Sequence, residues 1–444
     1  MSSLDTFNIM VVSKYFVTVD DFVHLSFVRR KFRENMDKFH YNPIPLNQKT
    51  RKYFSRLETL HIYKKTDDHF LNENFFCRVI WYEVDFAHYC NTDKKTLFKN
   101  VKFTKNDREM YGSKVPEVIN KIDKECFWLC PYIENVNLPA SLTSIGKGCF
   151  YGCRLLSSIK LPHNFSKLGK QSFTRCVSLE KVELSECLYE LGISSFSHCI
   201  NLLEINIPER VLSLPSQCFF WCTSLQNVKL NTSLVSIGSF CFAKCTSISK
   251  IEIPNSVTKI GNGCFQKCCE LKEIELPEKL KDISSETFFG CTSLSKVVFP
   301  SGLTSINDHA FTKCNSLENI EIPKQVIYIG SECFAECFNL TEVLIPDNTK
   351  LLGCGCFYAC TSLSAFNIPS SINSLYSECF SKCYMLSEIQ IPLGITRIGS
   401  ECFSHCLSLS SIKGGEHVEY VGNNCFINCP LSTRKQIEPI SRQQ

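Results

Sequence analysis

Several features that commonly reveal a protein's task are missing from this 444-residue sequence. No stretch approaches the eighteen or so apolar residues that span a bilayer, which argues against a transmembrane helix. The opening MSSLDTFNIMVVSKYF has no basic leading region and only a six-residue apolar run, Phe7 to Val12, too short for a secretory signal. The closing SRQQ offers no cysteine for a lipid. A cytoplasmic chain is expected on these grounds. Charge of one sign is also scarce. The net charge is only +4, and residues 1–113 hold 19 Lys/Arg against 14 Asp/Glu while the remainder holds 29 against 30. The larger part therefore has no overall basic balance, and nucleic acid is not expected as a partner. Catalytic groupings are missing too. His163, His198, His309, His405 and His417 stand in differing contexts with no consistent acid or nucleophile, so no enzyme is expected. The 29 cysteines lack the paired CxxC or histidine spacing of a zinc site, so neither metal nor cofactor is expected.

What the chain does have is a repeat. Fourteen phenylalanines, from Phe127 and Phe150 through Phe265 to Phe403 and Phe426, lie 23 residues apart without a slip, and each is followed three residues later by cysteine. A unit this short cannot bury its own apolar face, so neighbouring copies must stack into a solenoid. One clean copy reads IGSFCFAKCTSISKIEIPNSVTKI, Ile237 to Ile260. Ile251 and Ile253 alternate with polar residues, the period-two signature of a half-buried strand. In ten of thirteen complete copies Pro follows, as at Pro254 and Pro277, and ends the strand at a corner. In nine of thirteen, Gly follows the later apolar pair, as at Gly238 and Gly261, where a tight bend is expected to tolerate no Cβ.

The pattern LPxxLTSIGxxCFxxCxxLxxIxLP resembles the BspA-like, or Treponema pallidum type, class of leucine-rich repeats over residues 114–432. The residue before Phe departs from the commonest form, being Cys in ten copies where Ala is usual. The resemblance implies a leucine-rich-repeat solenoid, curved, with a parallel β-sheet on its concave face. It also implies the company of surface antigens and adhesins, which places cell-surface display beside the cytoplasmic expectation. Residues 433–444 read as a polar tail. Because in-register coils bury one another, a monomer is expected.

Fourteen cysteines sit three after Phe and ten sit just before it; Cys77, Cys90, Cys187, Cys269 and Cys354 stand outside the pattern. They are either a disulfide ladder or small apolar filler. Where the first cysteine is missing, Ser172, Ser195, Thr287 or Ala310 replaces it, all small, and bonding within a coil would then orphan Cys176, Cys199, Cys291 and Cys314. Reduced filler is the preferred reading.

With no catalytic grouping, function is expected in protein binding, and two surfaces are candidates. Strand residues eight and ten after each Phe should point outward from the concave sheet. They include Glu252, Glu273, Glu275, Val298, Glu321, Glu342 and Leu344, a graded acidic-to-apolar contact surface or a merely solvated face. A second stripe, Trp128, Tyr151, Phe220, Trp221, Phe289 and Tyr358, is either a set of aromatic anchors for a partner or a cover for the core edge.

Residues 1–113 show no repeat. NIMVVSKYF reads as a short helix. Thr18 and Asp21 form a capping pair for a second helix over FVHLSFVRRKFREN, broken by NPIPL. Extended segments are expected in YFSRLETLHIY, at Val79 to Phe86 and at Val101 to Phe103. The whole reads as a small α+β cap for the first coil. The run from Ile9 to Phe32 also resembles an F-box. That resemblance implies adaptor contacts by Ile9, Val12, Tyr15, Phe16, Leu25 and Val28, and a role as substrate receptor of a cullin ubiquitin ligase.

Overall fold

The structure is a computed structural model and describes residues 5–430; the polar tail 433–444 lies outside the described residues. The chain divides into two compact units, Met1–Cys126 and Phe127–Gln444.

The first unit opens with helix α1 (Thr6–Ser13), capped by the Asp5 carboxylate, and helix α2 (Val19–Val28). Thr18 and Asp21 make a reciprocal capping box at the start of α2, as the sequence leads one to expect. The helix is shorter than expected. Arg29 turns extended and a single 3-10 turn, Arg30–Phe32, follows, so the chain leaves α2 well before NPIPL. The turn lets Phe32 point inward, and Phe22 packs edge-on against Phe39 and Phe54 at 5.8 and 5.6 Å.

Strands β1 (Thr59–Ile62), β2 (Cys77–Ile80), β3 (Val84–Asp85), β4 (Thr96–Phe98), β5 (Val101–Phe103) and β6 (Lys121–Ile122) follow, with helices α3 (Phe86–Cys90) and α4 (Lys105–Tyr111) between them. All three expected extended segments are present, except that Phe86 already opens α3. The strands are parallel. Thr59 pairs with Cys77, Arg78 with Thr96, Val84 with Val101 and Lys102 with Lys121. Successive partners are thus 17 to 19 residues apart. The segment does repeat, contrary to the reading from sequence, but in coils of unequal length that no constant residue marks.

The second unit is a parallel-strand solenoid with its coils in 23-residue register. Most coils contribute a three-residue strand, as in Glu273–Glu275 beside Lys296–Val298, and a two-residue strand, as in Ser236–Ile237 beside Lys259–Ile260, but residues 250–252, where the alternation around Ile251 leads one to expect a strand, form none. The middle residue of each three-residue strand points into the core. The Phe rings form one column of near-parallel neighbours, with centroids 4.9–5.8 Å apart and planes within 17°. From Phe127 to Phe403 the rings are fully buried or nearly so.

The backbone around each Phe carries the tightest bonding. The residues two before and two after every Phe have positive φ, as at Gln171 and Arg175 (58° and 62°) or Glu332 and Glu336 (51° and 58°). For a residue with a Cβ this left-handed state costs about 1–2 kcal/mol. The alternation aims successive N–H groups at the next coil. Arg175, Phe173 and Gln171 donate to the carbonyls of Ser197, Ser195 and Ile193, and the same triple recurs along the column at 2.7–3.1 Å. Ring burial and these bonds together offset the strain.

Glycine matters for a different reason than the expected bend. Gly238 and Gly261 do not have positive φ; an added Cβ would sit 2.5 and 2.4 Å from the backbone nitrogens of Ser216 and Ser239 in the preceding coil. The requirement is close approach between coils.

Candidate functional site

The cysteines settle first, because a reactive or metal-binding thiol would be a site in itself. Each second cysteine from Cys153 to Cys429 donates its Sγ–H to the carbonyl of the Phe one coil earlier, at 3.0–3.3 Å. That carbonyl also takes the N–H of its own coil's cysteine, so Phe150, for example, accepts from Cys153 N and Cys176 Sγ. These thiols are therefore more than filler: each satisfies a buried acceptor while filling apolar space. Burial pushes the Cys245 and Cys337 thiols up to about 12, which keeps the proton on sulfur and so keeps the Sγ–H donor. At the first cysteine's position the substitutes share the same interior. Ser172 and Thr287 hydroxyls donate to the carbonyls three residues back, and Ser195 lies 3.3 Å from Cys218 Sγ.

The strand face presents the expected outward residues. Glu252, Glu273, Glu275, Glu321 and Glu342 are exposed, and Val298 and Leu344 show 42% and 53% of their surface. Their pairing differs along the face. Lys160 and Lys181 hold Glu183 at 2.9 and 3.3 Å, Lys250 reaches Glu273 at 3.7 Å, and Lys413 holds Glu388 at 3.0 Å. Between these pairs Glu275, Glu321 and Glu342 have no ion pair among the described residues, and neither has Glu252. One column thus runs Glu252, Glu275, Val298, Glu321, Leu344.

The strand ladder beneath is interrupted. Residues 204–206 pair with 227–229, and 273–275 with 296–298, whereas 250–252 lie in no strand. A depression of about 860 Å³ lies over this gap, lined by Lys181, Glu183, Glu204, Asn227, Lys229, Lys250 and Glu252. A second of about 500 Å³ continues it past Glu273 and Glu275 to Val298.

The aromatic stripe is packed against itself. Trp128 and Tyr151 stack at 4.0 Å. Trp221 has His198 at 5.3 Å and the Lys244 ammonium 3.8 Å from its ring centre. Lys313 lies over Phe289 at 5.9 Å and Lys382 over Tyr358 at 4.8 Å. These lysines, each two residues after a Phe, were not singled out in the sequence; their regular offset was the available signal. Burial, with Arg175 and Lys244 nearby, lowers His198 below the ordinary histidine range, so this ring serves as packing.

The six adaptor candidates do not form one surface. Ile9 is buried, Phe16 and Leu25 are half-buried with Phe16 edge-on to Phe22 at 5.0 Å, and Val12, Tyr15 and Val28 are exposed. No helix among the described residues is long and apolar enough to cross a membrane.

Comparison with known proteins agrees with this architecture. A family model described as a BspA type leucine rich repeat region of six copies matches residues 120–220, 189–318 and 304–432. A leucine-rich repeat protein from Bacteroides ovatus is similar at 24% identity and a TM-score of 0.51, covering 74% of this chain and 89% of that one. A leucine rich cell surface protein from Faecalibacterium prausnitzii gives 28% identity and a TM-score of 0.48, covering 67% and 84%. No curated protein matches. With its repeats matched from residue 120 to residue 432, the chain belongs to the BspA type leucine-rich repeat family.

Proposed function

We propose that this protein is a non-enzymatic scaffold that binds a protein partner on its three-residue-strand face. The observation that carries the reading is the column Glu252, Glu275, Val298, Glu321, Leu344, joined by Glu342, in which carboxylates without ion pairs alternate with exposed apolar side chains. Glu183, Glu273 and Glu388 on this face are held by lysines of the same chain, whereas the carboxylates of the column, like Glu204, are left open to a basic partner. A partner segment with basic and apolar side chains fits; phosphate-bearing nucleic acid is repelled. An adhesive role of the kind the family resemblance implies uses the same face and the same contacts.

The test is parallel capture from the native source with the wild-type chain and with the fourfold reversal of Glu252, Glu275, Glu321 and Glu342 to Lys. The reversal should keep stability within about 0.5 kcal/mol, because all four positions are exposed. A specific partner should be held by the wild type, lost from the variant, and released from the wild type by raised salt. A partner retained equally by both chains sinks the assignment.

A further inference from the structure

The opening helices of the first unit carry a run of exposed apolar side chains. Phe7, Val11 and Tyr15 follow one another at four-residue spacing along α1 and the turn after it, so they share a side. All three are exposed, Tyr15 to 84%, and Val12 and Val17 are exposed beside them. At the end of α2, Phe27 and Val28 are exposed to 77% and 66%. The inward side is already taken: Ile9 and Ser13 are buried, and Ser13 Oγ accepts from Asn35 Nδ2 at 2.9 Å.

The 3-10 turn Arg30–Phe32 touches both helices and brings a basic run to the same place. Arg29, Arg30, Lys31 and Arg33 are all exposed, as is Lys14 on the first side. The nearby acids are partly committed: Asp5 caps α1 and Asp21 caps α2, while Asp20 and Glu34 remain exposed. Exposed aromatic and branched side chains bordered by four consecutive-turn cations suit one kind of surface, in which apolar groups enter a hydrocarbon boundary while the cations meet phosphate and carboxylate. We propose that the α1–α2 pair docks this protein onto an anionic lipid surface, with Phe7, Val11, Tyr15, Phe27 and Val28 entering the interface and Arg29 to Arg33 holding the headgroups. None of these residues belongs to the strand face of the second unit.

The test is co-sedimentation of the full chain with vesicles of phosphatidylcholine alone and of phosphatidylcholine containing phosphatidylserine. Binding should require the anionic lipid and weaken at high salt. Reversal of Arg29, Arg30 and Arg33 to Glu should weaken it by at least about tenfold, and Phe7→Asp with Phe27→Asp should do the same. Both sets of positions are exposed, and unchanged circular dichroism and melting show that folding is kept. Equal pelleting with both vesicle types, or full binding by either variant, overturns the proposal. So does a dimer in solution that the Phe7/Phe27 change dissociates while vesicles are ignored, because a second copy would then be the occupant.

Discussion

The two sides of a single coil in the second unit are built to different rules. Around the Phe, every coil repeats the same ring, the same buried thiol, the same two left-handed residues and the same N–H bonds to its neighbour. On the strand side, equivalent positions carry Lys250 and Glu252 in one coil, Glu273 and Glu275 in the next and Lys296 and Val298 after that, over a ladder that breaks at 250–252. Uniform packing and side-chain variation are therefore separated across the thickness of the coil, and the proposed binding falls on the variable side. The Phe side tolerates little change because each atom is shared with the next coil, while the strand side varies at small cost because its side chains end in solvent.

The sharpest way to break this contrast is Phe265→Ala. The ring is fully buried between Phe242 and Phe288 at 5.8 and 5.7 Å, and its loss should cost about 3–5 kcal/mol in chemical denaturation. Phe426, half-buried with one ladder neighbour, should cost clearly less. Equal losses would mean that the column is not cooperative. Next comes the thiol bond. Cys268→Ala removes the Sγ donor to Phe242 O and should cost about 1–3 kcal/mol, whereas Cys269→Ala, with sulfur contacts of 3.5 Å and longer, should stay within about 0.5 kcal/mol.

A change of opposite sign sharpens the point. Lys267 is exposed at φ 57°, and Lys267→Gly should raise stability by about 0.5–1 kcal/mol by relieving the left-handed strain. A loss in the melting curve would show that the side chain, and not the backbone, matters there. The smallest effect belongs to the other side of the coil. Lys250→Ala with Glu252→Ala should leave the denaturation midpoint almost unmoved.

Much of this was readable beforehand. Fourteen phenylalanines at a constant interval gave the stacking, and the alternation gave which residues face out, but the strand expected around Ile251 does not form in that copy, although its neighbours at 227–229 and 273–275 do. The left-handed positions were hidden because residues such as Gln171, Trp221, Lys267 and Glu332 occupy most of them, and glycine stands there in only a few coils, as at Gly148, Gly152 and Gly263. The thiol bonds were hidden because cysteine suits a small apolar interior equally well, and only the 26-residue offset to a carbonyl distinguishes the two roles. Glycine was recognised as obligatory at Gly261, but the neighbour that excludes a Cβ lies a full coil away. In the first unit, coils of 17 to 19 residues share no constant residue, so parallel strands were visible only singly. The acids without ion pairs could not be told from Glu273, because pairing depends on where Lys250 reaches in space.

The most direct test of the separation between the two sides is amide hydrogen exchange on the native chain. The N–H groups of Phe242, Phe265 and Phe288, each bonded to the next coil at 2.9 Å and buried, should exchange among the slowest in the protein. Those of Lys250 and Glu252, in the segment that joins no strand, should exchange much faster. Protection at Lys250 and Glu252 equal to that of the phenylalanines would contradict the account, since the strand side would then be holding the coils together as firmly as the Phe column does.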